Sequence, residues 1–200
     1  MSTRRVALTG GIATGKSHIR ARLKELGVPT IDADTLARAA VAPGSAGLAA
    51  VAQRFGAGIL KTDGSLDRAA LGRIVFADEG ARRDLEAIIH PQVRQATDAW
   101  FDSLGLATHP FAVADIPLLF EVGRDQDFDV VIVAACEPET QVQRVMQRDG
   151  ITEAEARLRL GAQLPIADKI IRGDFVIRTD GSYEETNRQL DAVLLALRAA

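Results

Sequence analysis

Residues 10–17 read Gly-Gly-Ile-Ala-Thr-Gly-Lys-Ser, or GGIATGKS. Gly10, four residues, Gly15, Lys16 and Ser17 satisfy the pattern G-x-x-x-x-G-K-[ST]. The short apolar run Val6-Ala-Leu-Thr9 stands before them and reads as a strand. After them Ile19, Leu23 and Leu26 recur on one helical face, with Gly27 as a stop. Gly10 and Gly15 can take backbone angles closed to other residues. Successive N–H groups, from Gly11, Ile12, Ala13, Thr14, Gly15, Lys16, Ser17 and His18, are then able to turn inward around phosphate oxygens. The helix N-terminus adds its positive dipole end. Lys16 is expected to reach the β- and γ-phosphates, and the Ser17 hydroxyl to ligate Mg²⁺. The stretch specifies a nucleoside triphosphate site without specifying a reaction.

Working outward, Val28 to Ile31 reads as a second short strand. From about Asp34 to Leu104 the pattern is almost all helical, broken at Pro43-Gly44 and Asp63-Gly64. Pro91, after His90, is well placed to open a helix there. Phe111 to Ala114 is a strand ending in Asp115-Ile-Pro117. Asp129 to Cys136 is continuous and β-branched, as expected of a strand buried on both faces. A helix follows from about Pro138 to Arg148, and Thr152 with Glu155 makes a capping box for the next. Phe175-Val-Ile177 is a last strand. Ser182 with Glu185 caps a final helix whose stripe is Leu190, Val193, Leu194 and Leu197.

Short strands alternating with helices imply an α/β fold of three layers, α/β/α, around a parallel central sheet. The helical stretch after Asp34 is too long for one crossover. The expected division is a nucleotide-binding core of residues 1–34, 105–140 and 173–200, a helical insertion at 35–104, and a small helical lid at 141–172.

The composition sets bounds on partners and location. Of 200 residues, 47% are hydrophobic and 26% charged, as in a soluble globular protein. The net charge of -3 gives no bulk attraction to nucleic acid. The single cysteine, Cys136, allows no internal disulfide and fits the cytoplasm. The three histidines, His18, His90 and His109, lack metal-ligand spacing. The opening MSTRRVALTGG reaches its glycines before a secretory core forms. The longest apolar run, Val130 to Cys136, is too short to span a bilayer, so no membrane partner is expected.

In a parallel sheet ligands bind along the edge where the strands end. Strand one delivers the glycine loop there, strand two Asp32 and Asp34, and strand three Asp115. A phosphoryl acceptor hydroxyl needs a group to orient it and take its proton, and either Asp32 or Asp34 suits that role. Each also suits the N-cap of the following helix. In extended backbone the two point the same way, which allows one to act as base and the other to bind a water on Mg²⁺. Asp115 ends its strand as a Walker B acid does, holding Mg²⁺ through water, or else as a turn residue before Pro117. The lid segment carries Arg144, Arg148, Arg157, Arg159, Lys169 and Arg172. Arg144 and Arg148 lie four apart and are candidates for neutralising the transferring phosphoryl group.

The ordered series LTGGIATGKS, IDADTLAR, FGAGIL, HPQV, DIPLLFE and QLPIADKIIRGDFVI resembles the dephospho-CoA kinases, from about Val6 to Ile177. The resemblance implies ATP-dependent phosphorylation of the ribose 3′-hydroxyl of dephospho-CoA by a P-loop core with a helical CoA-binding insertion and a lid. It implies that Asp34 is the catalytic base and that Arg38 contacts acceptor or anchors the acids. It also places His90, with Pro91, and Glu121, with Leu118, at or near the acceptor. Two positions depart from the family's pattern. His18 stands where Ser or Thr is common, and Arg178-Thr-Asp-Gly181 stands where Asn-x-Gly is common. The assembly expected is a monomer or weak homo-oligomer. A different P-loop small-molecule kinase is one rival reading. A GTP switch is the other, but its NKxD reader is absent, since the one asparagine, Asn187, is followed by Arg188. The one D-x-x-G, Asp102 to Gly105, ends a helical stretch.

Overall fold

The computed structural model describes residues 3–104 and 109–199. Residues 105–108, where the second core segment was expected to begin, and the glycine of Asp102–Gly105 lie outside the described residues. The chain divides into two compact units, one of Met1–Ile31 with Leu104–Ala200, the other Asp32–Ser103.

The strands are β1 (Arg4–Gly10), β2 (Thr30–Asp32), β3 (Phe111–Asp115), β4 (Val130–Ala135) and β5 (Phe175–Arg178). They lie in the order β2-β3-β1-β4-β5. β1 pairs in parallel with β3, Val6 opposite Val113, and with β4, Val6 opposite Val130. β4 pairs in parallel with β5. Leaving β1, the chain goes to one side for β2 and β3 and to the other for β4 and β5. The C-terminal end of β1 is therefore a topological switch point, where open α/β sheets bind ligands.

Every residue of β3 and β4 is buried. Helix α1 (Lys16–Glu25) contributes Ile19 and Leu23 to the core, and α9 (Tyr183–Ala199) contributes Leu190, Val193, Leu194 and Leu197. The expected third member of the α1 stripe, Leu26, is 37% exposed. Leu26 is the C-cap. Gly27 takes a φ of 72°, its N–H reaches the Lys24 carbonyl, and the Val28 N–H reaches that of Leu23, both at 3.0 Å. This Schellman closure turns the chain out of the helix before Leu26 faces the core.

Helices α6 (Pro138–Asp149), α7 (Glu153–Gly161) and α8 (Ile166–Arg172) belong to the same unit. The Thr152–Glu155 capping box forms, with Glu155 N–H to Thr152 Oγ1 at 3.3 Å and Thr152 N–H to Glu155 at 2.9 Å. Val142, Val145 and Ala156 form a small apolar cluster against Ile12 and Ala13 of the glycine loop.

The second unit consists of α2 (Ala33–Ala40), α3 (Ala46–Phe55), α4 (Arg68–Ala77) and α5 (Glu79–Ser103). Its own core is Val41, Leu48, Val51, Ile59, Leu66 and Leu71. Ser45 caps α3 and Asp67 caps α4 through the N–H groups of Leu48 and Ala70. Pro91 does not open a helix. It lies inside α5, which runs unbroken for 25 residues. An interior proline removes one backbone hydrogen bond and crowds the preceding turn, at a cost of about 3 kcal/mol. Packing on both sides outweighs that cost. Leu85, Ile88 and Ile89 join the core before Pro91, and Val93, Thr97 and Phe101 are buried at four-residue spacing after it. The Gln92 side-chain amide donates to the Ile88 carbonyl at 3.0 Å, satisfying an acceptor beside the interruption.

Candidate functional site

The glycine loop takes its shape from positions where a side chain has no room or no allowed angle. A Cβ on Gly10 would lie 2.6 Å from the Ala134 carbonyl oxygen. Gly15, the N-cap of α1, has φ 77° and carries no side chain to claim the first N–H groups of the helix. Ala13, at φ 58°, is the one non-glycine residue with positive φ among the described residues.

Four of the loop's carbonyls are held from outside and one, that of Gly11, from within. Lys169 Nζ donates to Gly10 O at 3.2 Å, and Thr14 Oγ1 to Gly11 O at 2.9 Å. Gln141 Nε2 donates to Ile12 O at 2.7 Å, and Arg144 Nη1 to Ala13 O at 3.4 Å. Thr179 Oγ1 donates to Thr14 O at 2.8 Å. In a trans peptide the carbonyl and the next N–H point oppositely. Five carbonyls so anchored therefore aim the following N–H groups inward, the concavity that binds phosphate. Ile12 and Thr14 are exceptions, because the Ile12 N–H donates to Gln163 Oε1 at 2.8 Å and the Thr14 N–H to Gly11 O at 3.3 Å. His18, where the family pattern has a hydroxyl, contacts Asn187 Oδ1 through Nε2 at 2.9 Å and stacks on Tyr183 with ring centroids 4.4 Å apart.

Lys16 pairs with the buried carboxylate of Asp115, whose other oxygen lies 3.2 Å from Arg20. Arg20 is one helical turn after Lys16, a spacing visible in the sequence but not singled out there. Ser17 is exposed at the start of α1. No group of three His, Cys, Asp or Glu side chains among the described residues could hold a metal alone. Mg²⁺ commonly binds through one or two protein oxygens, waters and substrate phosphates. A hydroxyl and one strand-end carboxylate beside a phosphate cradle fit that donor set.

The six cations of the lid segment all have partners within this unit. Arg144 Nη2 donates to the Thr179 carbonyl at 2.6 Å, besides holding Ala13. Arg148 chelates Asp149 at 2.7 and 2.9 Å, and Arg159 meets the same carboxylate at 2.5 Å. Arg157 pairs with Glu139 and Glu153. Arg172 pairs with Asp125 at 2.9 Å and lies 4.4 Å above the Phe120 ring. Lys169 is wholly buried and pairs with Glu121 at 2.7 Å. Leu118, in the loop after β3, is 41% exposed.

In the helical unit, Asp32 is the N-cap of α2, with Oδ1 accepting the Asp34 N–H at 2.9 Å. Asp34, in the first turn, lines a cleft of about 310 Å³ with Arg38, Arg68 and an apolar floor that includes Leu66, Leu71 and Ile89. Arg68 was not anticipated from the sequence. It is brought beside Arg38 by α4, and no local motif marks it. His90 and Pro91 are exposed on α5.

A family model described as dephospho-CoA kinase matches residues 4–185. The chain belongs to the dephospho-CoA kinase family. It is 50% identical over 193 residues to the dephospho-CoA kinase of Anaeromyxobacter dehalogenans, covering 96% of this chain and 92% of that protein. It is 49% identical to that of Geobacillus kaustophilus, covering 94% of each. The solved dephospho-CoA kinase from Campylobacter jejuni superposes with a TM-score of 0.74 at 30% identity, over 96% of both chains. The chain is thus an enzyme of the P-loop kinase class. The motifs that carried the resemblance fall inside the matched span. Of the residues that brace the loop, Gln163 opens the quoted stretch QLPIADKIIRGDFVI and Thr179 lies in the departing stretch 178–181, but neither was assigned a role there, and Gln141 lies in no quoted motif. Each acts through a single amide or hydroxyl placed by the tertiary fold.

Proposed function

We propose that this chain transfers the γ-phosphoryl group of ATP to the ribose 3′-hydroxyl of dephospho-CoA, giving CoA and ADP. The observation that carries the reading is the braced glycine loop with Lys16 set against Asp115, in a chain whose family match spans residues 4–185.

The first unit supplies the nucleotide half of the reaction. Inward N–H groups of the loop bind the β- and γ-phosphates, and Lys16 exchanges Asp115 for phosphate oxygen as charge moves onto the leaving group. Ser17 and, through water, Asp115 would hold Mg²⁺, which when bound neutralises phosphate charge. Arg148 and Arg159 are exposed and share the half-buried Asp149, and since such surface pairs contribute about 0–1 kcal/mol, either arginine can be given up to phosphate at little cost.

The second unit supplies the acceptor half. Asp34 accepts the proton of the 3′-hydroxyl. Asp32 shapes the turn that presents it. Arg38 and Arg68 match the charge of the acceptor's diphosphate, and the apolar floor of the cleft suits the aliphatic pantetheine arm. His90 is assigned to the acceptor's periphery. Among the described residues no helix is long and apolar enough to cross a membrane. A free, buried Cys136 is in keeping with a reducing cytosol.

A coupled ADP-release assay with dephospho-CoA, AMP, CMP and shikimate tests the reading. Turnover with dephospho-CoA alone is expected. Preferred turnover of another acceptor would transfer the chain to a different P-loop kinase activity.

A further inference from the structure

Lys169 is an unusual residue to find at 0% exposure, because lysine is almost never fully buried unless paired. Its ammonium has three N–H donors and three oxygen partners, the Glu121 carboxylate at 2.7 Å, Gly10 O at 3.2 Å and Pro117 O at 3.4 Å. These partners come from different segments. Gly10 is the first glycine of the phosphate loop and the last residue of β1. Pro117 follows β3, two residues beyond Asp115, and its carbonyl also accepts from Thr9 Oγ1 at 3.2 Å. Glu121 in turn accepts the Leu164 N–H at 3.0 Å, fixing the approach to α8. Burying an ammonium is costly, and an apolar side chain of similar length usually serves stability as well or better.

We propose that Lys169 and Glu121 form a positioning pair that sets the peptide between Gly10 and Gly11 and so tunes nucleotide affinity. The pair touches no reacting atom. With Gly10 O held by Lys169, the Gly11 N–H points into the loop. Without it the peptide is free to rotate, and the loop loses an inward donor at its entrance. The same ammonium holds the segment that carries Asp115, so the Lys16–Asp115 pair and the loop entrance move together. This inference rests on the nucleotide-binding part of the reading above, not on the identity of the acceptor.

The test is binding of a fluorescent ATP analogue, measured beside KM and kcat on variants whose folding is checked by thermal melting. Lys169→Met is expected to weaken nucleotide binding about tenfold, while KM for dephospho-CoA stays within about twofold. Glu121→Gln keeps an oxygen acceptor and should weaken binding in the same direction by less. The double variant should bind no worse than Lys169→Met, because the two act through one contact. A folded Lys169→Met with wild-type nucleotide affinity, even with a lowered Tm, would reduce the lysine to a structural role. If Lys169→Met does not fold, unchanged nucleotide affinity in Glu121→Gln overturns the proposal. A wild-type chain that binds the analogue but leaves dephospho-CoA unphosphorylated would overturn the functional reading and leave this comparison intact.

Discussion

Asp115 holds Lys16 with one carboxylate oxygen and Arg20, at 3.2 Å, with the other. Both cations therefore meet one buried acid. Asp115→Asn leaves them facing a neutral amide. It should cost about 3 kcal/mol of stability and lower kcat by about 10²–10³-fold. The Mg²⁺ concentration needed for half-maximal rate should also rise. A Mg²⁺ titration of the rate, run beside a thermal melt, separates these effects. An unchanged Mg²⁺ requirement would remove Asp115 from the metal's surroundings.

Lys16→Ala removes the charge that follows the transferring group. The expected loss in kcat/KM for ATP is about 10²–10³-fold. Steady-state kinetics on purified variant decide it, and an unchanged value would sink the kinase mechanism given above.

The two acids of IDADTLAR separate by what they bond. Asp32 already accepts the Asp34 N–H at 2.9 Å as a helix cap. Asn caps nearly as well as Asp, so Asp32→Asn should change stability by only a few tenths of a kcal/mol, whereas Asp32→Ala should cost about 1 kcal/mol. Asp34→Asn should lower kcat by about 10²–10⁴-fold and leave ATP affinity near wild type. Near-normal turnover in Asp34→Asn would eliminate it as the base.

Arg144 and Arg148 were paired by spacing, but their contacts differ. Arg144 braces Ala13 and Thr179, so Arg144→Ala should weaken ATP binding about tenfold. Arg148 is exposed and meets only the half-buried Asp149 carboxylate among the contacts described, and Arg148→Ala should shift stability by less than about 0.5 kcal/mol. A large fall in kcat in the Arg148 variant would then report a contact made with phosphate during the reaction. Rates and melts for the two variants, compared directly, test this.

Burial pushes the Cys136 thiol up from its ordinary value. The folded state keeps the neutral thiol, while the unfolded chain ionises at the usual value. This group's contribution to stability is therefore fully present below that value and is lost as pH rises from it through the raised folded value. Ellman's reagent at pH 8 should label the native protein slowly and the denatured protein with one equivalent. Fast native labelling would contradict the buried placement.

The parts of the fold marked by local chemistry were legible. The glycine loop, the continuous β4 and the capping boxes at Thr152 and Ser182 each rest on a few neighbouring residues, and all appear where expected. Pro91 was misread because proline's local preference for a helix start was outweighed by packing on both sides of it. Leu26 was misread because periodicity does not register where a Schellman turn takes the chain out of the helix. In the site, Asp115 and Lys16 were readable as motif members. Arg20's pairing, and the bracing by Gln141, Gln163 and Thr179, depend on elements far apart in sequence, which no spacing rule reaches. The partners of the lid arginines were not legible, because a sequence lists charges without their contacts.

The braced loop also bears on how the chain acquires its activity. Gly10 is anchored by a residue 159 positions later, and Thr14 by one 165 positions later. The ribosome therefore releases the loop long before it makes the anchors. The helical unit Asp32–Ser103 is continuous in sequence and can condense early through nearby contacts, whereas β1 must wait for β3, with Arg4 pairing to Phe111. Nucleotide competence should accordingly arrive late in synthesis and all at once. A chain ending before Thr179 should bind no ATP analogue, however complete its amino-terminal glycine motif.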